Sequence, residues 1–349
     1  MFFASDNWAG AHSSIAASLS RHAEGFAAAY GAGDLDKKIE QTFNNVFERE
    51  VAVFFVGTGT AANALALASV NRPGGVSFCH REAHLIEDEC GAPEYFTGGA
   101  RLHPVDGALG RMNPAILEKE IARFPPGFVH SGQPMAVSIT QATEVGTLYT
   151  LDDIKAVSNV CKANGLPLHM DGARFANALV SLGCSPAEMT WKSGIDMVSF
   201  GGTKNGCWCA EALVFLNPAQ ARDLPFIRKR AAQLFSKTRF IAAQFDAYFQ
   251  DGLWLTLARH ANGMTAALAA HIRASNTMRL AWEPQANEIF AVLKKSEAVR
   301  LRAAGAVFYA WNPPHNAGFE LREDEEMTRL VTSFATGEEE VDRFAAALR

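Results

Sequence analysis

The segment that decides the fold is Leu-His-Met-Asp-Gly-Ala-Arg at residues 168–174. Leu166–Met170 is a short apolar run typical of a buried strand, and Ala173–Leu182 has helical spacing. Asp171 therefore follows a strand at the edge where open α/β sheets bind their ligands. The alternative is that Asp171 only caps the following helix. Arg174 argues against this, because a cation there opposes the helix dipole and is better explained by an anionic ligand.

Short strand candidates alternate with helices on both sides of this segment. Val51–Val56 is a continuous apolar run, and Ala61–Val70 is typical of the helix that follows it. Such alternation predicts βαβ units and a mainly parallel sheet covered on both faces, which is an α/β fold. Further candidates are a helix at Leu151–Asn164 and strands at Val76–Cys79, Met135–Thr140, Met197–Phe200 and Ala212–Leu216.

The pattern changes after about residue 224. Long helical stretches cover Pro225–Gln250 and Leu253–Ser275, and shorter elements follow them. This change predicts a large domain with an N-terminal arm at 1–250 and a small α+β domain at 251–349. The shorter elements are strand candidates at Ala306–Trp311, Gly318–Leu321 and Met327–Ser333 and a last helix at Glu338–Leu348.

Composition excludes several classes of protein. The 349 residues are 48% hydrophobic and 20% charged, with a net charge of −5 and no long basic run, so nucleic acids and membranes are not expected partners. No apolar run approaches the roughly 20 residues that cross a bilayer, and the N-terminus is not a signal peptide. None of the six cysteines forms a C-x-x-C pair. We therefore expect a cytoplasmic protein with reduced thiols and no bound metal.

A glycine-rich turn joins the first buried strand to its helix, with the sequence GTGTAAN at residues 57–63. Backbone N–H groups at a helix N-terminus, approached closely through small residues, form an anion site. Two alternatives stay open. The segment could be a plain turn, or it could be a dinucleotide fingerprint, since it matches G-x-G-x-x-A and Glu82 lies near the expected acidic position.

A lysine follows another buried strand, in the segment MVSFGGTKNG at residues 197–206. A cation at the end of a buried strand is costly unless it has a task. Burial can make its amine a nucleophile toward carbonyl groups. The alternative is a solvated loop lysine. Asp171 and Lys204 together are more specific, because pyridoxal phosphate (PLP) enzymes pair an acid with the pyridine nitrogen and a lysine with the carbonyl.

These segments together resemble the threonine aldolases of the aromatic amino-acid β-eliminating lyase group, which are PLP enzymes of fold type I. The resemblance covers nearly the whole chain and is most specific at 57–63 and 169–174. Its other matching segments are Ser5-Asp6, Tyr30-Gly31, Ala83-His84, Lys204 and MTRLVT at 327–332.

The resemblance implies cofactor-binding roles for several residues. Lys204 would hold PLP as a Schiff base, and Asp171 would keep the pyridine nitrogen protonated. His84 would stack on the ring, and Gly59 and Thr60 would bind the phosphate. For His84 an alternative is metal binding together with the histidine four residues before it.

The resemblance also implies how substrate and neighbouring subunits bind. Ser5, Arg174 and Arg329 would hold the substrate carboxylate, with Arg174 also beside the cofactor. Arg239 would contact the phosphate of a neighbouring subunit, and Tyr30 would lie near the same interface and the substrate. The family's usual assembly is a homotetramer built from catalytic dimers. Alternatives are that Ser5 caps a helix, that Arg329 is a surface cation, and that Lys237 or a cation at 228–230 replaces Arg239.

The implied reaction is retro-aldol cleavage of a β-hydroxy-α-amino acid to glycine and an aldehyde. Many threonine aldolases carry a second histidine after a Glu-Asn-Thr stretch, but residues 138–144, SITQATE, contain none. The general base therefore stays open between His84, Glu144 and a phosphate-bound water, and a subgroup that prefers another substrate, such as phenylserine, is favoured. Alternative functions are a β-eliminating PLP lyase, an NAD-dependent oxidoreductase and a non-catalytic binding protein.

Overall fold

The structure is a computed structural model that describes residues 1–349. Eleven strands form two separate sheets, one of seven strands and one of four. The large sheet consists of β1 Ala52–Val56, β2 Gly75–His80, β3 Arg101–Val105, β4 Gln133–Thr140, β5 Leu168–Gly172, β6 Met197–Gly201 and β7 Glu211–Phe215. The small sheet consists of β8 Met278–Leu280, β9 Glu288–Lys294, β10 Tyr309–Trp311 and β11 Glu325–Val331.

Fourteen α-helices accompany the strands. Those up to the fourth strand are α1 Ser13–Arg21, α2 Asp34–Phe47, α3 Gly59–Ser69, α4 His84–Glu87, α5 Ala92–Phe96 and α6 Pro114–Ala122. The later ones are α7 Leu151–Ala163, α8 Phe175–Leu182, α9 Pro186–Met189, α10 Leu224–Arg230, α11 Arg239–Phe249, α12 Leu253–Arg273, α13 Lys295–Ala303 and α14 Glu338–Ala347. None of these helices combines the length and apolarity that crossing a membrane would require.

The large sheet is mainly parallel, as predicted. Its strand order is β1-β7-β6-β5-β4-β2-β3, and only β7 runs antiparallel to its neighbours. Every residue of β5, β6 and β7 is buried, which explains why these strands appear in the sequence as apolar runs without alternation. The parallel order of β4, β5 and β6 brings their carboxyl ends to one edge of the sheet.

The small sheet corrects several sequence predictions. It is antiparallel throughout, and its strands β8 and β9 are absent from the predicted elements. Short apolar runs of this kind are ambiguous between strand and helix by periodicity alone. Gly318–Leu321 is not a strand, because Phe319 and Leu321 instead pack against a small cluster around Phe290.

Two further predictions need correction in the large unit. Strand β3 is unpredicted because it is a half-exposed edge strand that contains Pro104. The predicted helix Pro225–Gln250 is two helices, α10 and α11. Between them Ala232 adopts a left-handed φ of 57°, and Gln233 accepts a hydrogen bond from Gly57 N–H. The helix therefore breaks where the chain turns back toward the glycine-rich turn.

Each sheet has a hydrophobic core of its own. The larger cluster has 46 buried residues, and the smaller has 16, built on β9, β11 and the helices that cover them. Phe3 belongs to the smaller cluster, and Phe2 forms an isolated bridge with Val307. The N-terminal residues thus pack on the small sheet before the chain enters the large one. The domain boundary near residue 250 stays a prediction.

Candidate active site

A cavity of about 270 Å³, here called the inner cavity, lies at the carboxyl edge of the large sheet. Strands β5 and β6 end at it, and helix α3 begins at it. Sequence-predicted residues from four separate segments meet there, which is the position expected for a ligand in an open α/β sheet. The lining residues are Asn7, Gly57, Thr58, Gly59, Thr60, Asn63, His84, Asp171, Ala173, Thr203, Lys204 and Glu211.

Asp171 is a buried acid with its hydrogen bonds arranged on both carboxylate oxygens. Oδ1 accepts from Ala173 N–H at 3.1 Å, and Oδ2 accepts from Asn63 Nδ2 at 2.9 Å. Burial, and then the charge of Glu144, raise the pKa of Asp171 above its ordinary value. The hydrogen bond from Ala173 N–H to Asp171 has the geometry of a turn. Because helix α8 begins only at Phe175, Asp171 is not simply the N-cap of that helix.

Lys204 lies in a single 3₁₀ turn, Thr203–Asn205, directly after β6. Its amine forms no hydrogen bond or ion pair within the chain, although it lines the cavity. Gly201 explains how β5 and β6 bring their ends so close. A Cβ at this position would lie 2.6 Å from the Ala173 carbonyl oxygen, so only glycine fits without a shift.

The N-terminus of helix α3 supplies neutral donors to the inner cavity. Thr58 caps the helix, with its hydroxyl accepting from Ala61 N–H at 3.1 Å. The first N–H groups, at Gly59 and Thr60, have no partner inside the helix and point toward its N-terminal end. The helix contains no charged residue. The predicted phosphate cup is therefore a set of backbone and hydroxyl donors at a helix N-terminus.

His84 is the first residue of α4 and is held by a buried acid. Its Nδ1 lies 2.9 Å from Glu89 Oε1, which also accepts from Asn63 Nδ2 at 2.8 Å. Burial lowers the pKa of His84, but the Glu89 hydrogen bond and the charges of Glu144 and Asp171 outweigh it and raise that pKa overall. Asn63 thereby joins His84 and Asp171 through one hydrogen-bonded chain. His80 is not on the same helix, because it ends β2 and contacts the Gly107 carbonyl.

The predicted carboxylate-binding arginines converge on buried acids. Arg174 Nε lies 2.8 Å from Asp6 Oδ2, and its Nη1 lies 3.1 Å from Glu288 Oε2. Arg329 Nη1 lies 3.6 Å from the other oxygen of Glu288, and its guanidinium stacks 4.1 Å above Trp311. Burial raises the pKa of Glu288, and the two arginines offset only part of this effect. Glu288 therefore bridges the two cations that a substrate carboxylate would also need.

Five predicted residues lie outside the inner cavity lining of their own chain, namely Arg174 and Arg329, described above, and Ser5, Tyr30 and Arg239. Ser5 accepts a hydrogen bond from Asn7 N–H at 3.1 Å and so caps a 3₁₀ turn, as its alternative reading held. Tyr30 is about half exposed, with the Lys229 amine 5.4 Å from its ring. Arg239 donates to the carbonyl groups of residues 23–25. Their roles toward substrate or a neighbouring subunit stay predictions.

A second cavity of about 460 Å³, here called the outer cavity, lies between the two sheets. Glu144 is buried, lines this cavity and forms no hydrogen bond or ion pair. Its charge raises the pKa values of His84 and Asp171, which line the inner cavity. Apolar walls come from Trp311 and Met327. The other acidic lining residues are Glu82, Glu87, Asp88, Glu325 and Glu326.

Several residues of the site were not predicted to act in it. Asp6 and Asn63 lie inside quoted motifs, so a search for polar partners within those motifs would have found them. Glu211 and Glu288 are acids at the first position of an apolar strand, a detectable anomaly. Glu89 gives no signal, since nothing in its neighbourhood along the chain distinguishes it from a surface glutamate.

The seven-stranded sheet, with an acid near the end of one central strand, a lysine after the next and a helix N-terminus in the same cavity, defines an enzyme of fold type I. A family model described as beta-eliminating lyase matches residues 3–304. The chain belongs to the beta-eliminating lyase family, so the predicted family and fold class are both confirmed.

Known relatives agree along most of the chain. The low specificity L-threonine aldolase of Pseudomonas aeruginosa is 42% identical over 300 residues, which are 85% of this chain and 86% of that protein. A solved threonine aldolase structure from Leishmania major has a TM-score of 0.92 at 30% identity and covers 99% of this chain and 98% of that one. Tryptophan decarboxylase of Catharanthus roseus, at 14% identity and a TM-score of 0.75, covers 99% of this chain and 82% of that one and shares the fold alone.

The family also decides between the alternative classes of function. Glu82, the acid that a dinucleotide fingerprint would need, lies outside the inner cavity and accepts a hydrogen bond from His315 N–H at 2.7 Å. Gly59 and Thr60 instead share their cavity with Asp171 and Lys204. The chain is accordingly a lyase, and the oxidoreductase reading has no support at this site.

Proposed function

We propose that the protein is a PLP-dependent aldolase that cleaves β-hydroxy-α-amino acids, such as threonine, allo-threonine or phenylserine, to glycine and an aldehyde. The observation that carries the proposal is the meeting of Asp171, Lys204 and the α3 N-terminus in one cavity. Two relatives from Pseudomonas, 42% and 41% identical, bear the name low specificity L-threonine aldolase and support the substrate class.

The residues of the inner cavity fit PLP. Asp171 is a buried acid whose pKa burial raises, and a cationic ring nitrogen against it would lower that pKa again. Lys204 has a free amine within the same cavity, and Gly59 and Thr60 offer donors to a phosphate. When bound, PLP supplies an electron-withdrawing ring that accepts the electron pair of a bond broken at Cα.

Arg174 and Arg329 would orient the substrate by its carboxylate. Both guanidinium groups contact Glu288, at 3.1 and 3.6 Å, and the side chains of Arg174 and Arg329 are 3% and 13% exposed. A substrate carboxylate would therefore share these cations with Glu288 or displace it. Fixing the carboxylate sets the orientation of the bonds at Cα, which determines the bond that breaks.

The β-hydroxyl proton needs an acceptor in the cavity. Glu89 occupies His84 Nδ1, so Nε2 is the nitrogen that remains to take a proton. Glu144, which lines the outer cavity, is the second candidate acceptor, since its carboxylate has no other partner. Either group would take the place of the second histidine that many threonine aldolases carry and that residues 138–144 of this chain do not contain.

We also propose that Arg239 and Tyr30 act across a subunit interface in a homotetramer. Both side chains are outside the inner cavity of their own chain. Within that chain, Arg239 donates hydrogen bonds only to backbone carbonyl groups. The chain's six cysteines are all unpaired, which supports a cytoplasmic location. No nucleic acid or membrane partner is proposed.

Covalent labelling of Lys204 tests the proposed function. We expect purified protein to show a visible absorption band, and borohydride reduction to add the mass of the cofactor to the peptide containing Lys204. Lys204→Ala should lose that label and nearly all turnover, whereas Lys192→Ala, outside the cavity, should keep both. An unlabelled wild-type peptide would contradict the proposal. Release of pyruvate and ammonia instead of glycine and aldehyde would identify a β-eliminating lyase.

A further inference from the structure

An acid lies beside the helix N-terminus that the proposed function assigns to the cofactor phosphate. Glu211 is the first residue of β7, between Val56 of β1 and Gly201 of β6. It lines the inner cavity beside the α3 N-terminus and is 5% exposed. A carboxylate is an unexpected neighbour for a site built from anion-binding donors, because two anions in a buried cavity repel each other.

The two oxygens of Glu211 have different surroundings. Oε1 accepts a hydrogen bond from Thr203 N–H at 3.2 Å. Oε2 has no hydrogen-bond partner and lies 4.0 Å from the position that a Cβ on Gly59 would occupy. One oxygen is therefore held by the turn that carries Lys204, while the other faces the first residue of α3.

No permanent cation of this chain is left for the phosphate. Lys204 is the only lysine or arginine that lines the inner cavity, and the proposed function commits its amine to the other end of the cofactor. Lys204 also forms no ion pair with Glu211 within 4.0 Å. Within its own chain, an ionised Glu211 would consequently lie next to a phosphate with neutral donors alone to offset the repulsion, and the one further cation proposed for the phosphate, Arg239, belongs to a neighbouring subunit.

We propose that Glu211 is a phosphate-binding residue that acts in its protonated form, donating a hydrogen bond from Oε2 to a phosphate oxygen of the cofactor. Oε1 keeps its bond from Thr203 N–H, so that the protonated acid has a partner on each side. The proposal rests on the proposed function, since it needs a phosphate-bearing cofactor. It assigns Glu211 a role that the chain's resemblance to known aldolases did not indicate.

The protonation that this role needs occurs in a neutral range of pH. Burial raises the pKa of Glu211 to about 7, against the opposing effects of Thr203 and Lys204. A bound phosphate would raise that pKa further, because it adds negative charge nearby. Cofactor affinity is therefore highest below this pKa and falls as pH rises above it. The titratable groups that face Glu211 are Lys204, Asp171, Cys207, Cys209 and Tyr248.

Phosphorus NMR of the holoenzyme tests the proposal without using turnover. We expect the bound phosphate resonance of the wild type to shift with pH in one transition, as Glu211 loses its proton. Glu211→Gln, which donates and accepts without titrating, should hold the resonance constant. Glu120→Gln on α6 removes the same charge outside the cavity and should titrate as the wild type does. A pH-independent wild-type resonance, or the same transition in Glu211→Gln, would overturn the proposal.

Release of PLP on dilution of the holoenzyme gives a second measurement. Above the pKa of Glu211 the wild type should lose affinity by up to about tenfold per pH unit relative to Glu211→Gln. Below that pKa, Glu211→Met should release PLP faster than the wild type, because a donor is lost. Slower release from Glu211→Met would mean that Glu211 is ionised and repels the phosphate. Protein that contains no PLP at all would instead reject the proposed function.

Discussion

Three buried acids in or near the inner cavity differ in how their charged forms are stabilised, because their hydrogen-bond partners differ. Asp171 accepts from an amide and a backbone N–H, Glu89 holds a histidine, and Glu211 has one oxygen without a partner. Burial raises the pKa of all three, yet each has a different group to stabilise its charged form. At this scale, the chemistry of an acid depends on the one or two groups that contact it.

Glu89 is a positioning residue for His84, and Glu89→Gln tests this role. Losing the negative charge should lower the pKa of His84, because the Glu89 hydrogen bond is the largest effect that raises it. His84 would then stay neutral to lower pH than in the wild type. Histidine ring resonances in NMR, followed against pH, measure the change directly.

A matched control exists for this substitution. His103 Nε2 contacts Glu120 Oε2 at 2.7 Å outside the inner cavity, so Glu120→Gln removes a comparable pair. It should leave the His84 titration where it is in the wild type. An unchanged His84 midpoint in Glu89→Gln would show that Glu89 serves folding alone.

At the scale of elements, the site depends on how closely two strand ends approach. Asp171 lies one residue before the end of β5, next to Ser199 of β6, and Lys204 lies in the turn that follows β6. The contact is possible because Gly201 lies against the backbone of Ala173. The pairing of β5 with β6 brings the two strand ends to the same edge of the sheet, and the missing side chain of glycine allows their backbones to approach closely.

Gly201→Ala should separate these strand ends. Its Cβ would meet the Ala173 carbonyl oxygen at 2.6 Å, which forces a backbone shift that costs about 1–3 kcal/mol in the free energy of unfolding. PLP content should fall with it, because Lys204 moves relative to Asp171. Thermal unfolding and the ratio of bound PLP to protein measure both effects.

Gly263→Ala is the control for this change. Gly263 lies inside α12 with no heavy atom within 4 Å of an added Cβ, so alanine should stabilise the helix by about 1 kcal/mol. PLP content should not change. If Gly201→Ala also binds PLP fully, the strand approach is less restrictive than the structure indicates.

At the scale of the whole molecule, substrate choice depends on both sheets. The outer cavity takes Glu144 from the large unit and Trp311 and Met327 from the small sheet. Glu325 and Glu326 are paired with arginines, whereas Glu87, Asp88 and Glu144 have no cationic partner. Under the proposed function, a substrate side chain that reaches this cavity meets a negative potential and an aromatic wall.

We expect this potential to exclude anionic side chains. The kcat/KM for β-hydroxyaspartate should be far below the kcat/KM for phenylserine. Glu144→Gln should reduce the ratio of these two kcat/KM values by about tenfold, which corresponds to about 1.4 kcal/mol. Glu120→Gln, with the same change in net charge outside the cavity, should leave the ratio unaltered. Equal ratios in wild type and Glu144→Gln would place the substrate side chain elsewhere.

Local patterns were enough to predict the large sheet, apart from its edge strand β3, and its ligand-binding edge. Asp171 and Lys204 each follow a continuous apolar run, and the parallel order implied by βαβ units brings their ends together. The small sheet was less predictable. Strand β8 has only three residues, and β9 is an apolar run that periodicity alone does not assign to strand or helix. Phe319 and Leu321 alternate like a strand but pack as a loop.

By itself, then, the sequence determined the family, the α/β fold and the acid–lysine pair, because each is indicated by short motifs whose own residues are neighbours along the chain. Only the tertiary structure decided the charge balance around them. Burial is the largest effect on the pKa values of Glu89, Glu211 and Glu288, and it is set by how segments distant in sequence pack together. Local patterns carry no record of such long-range electrostatics.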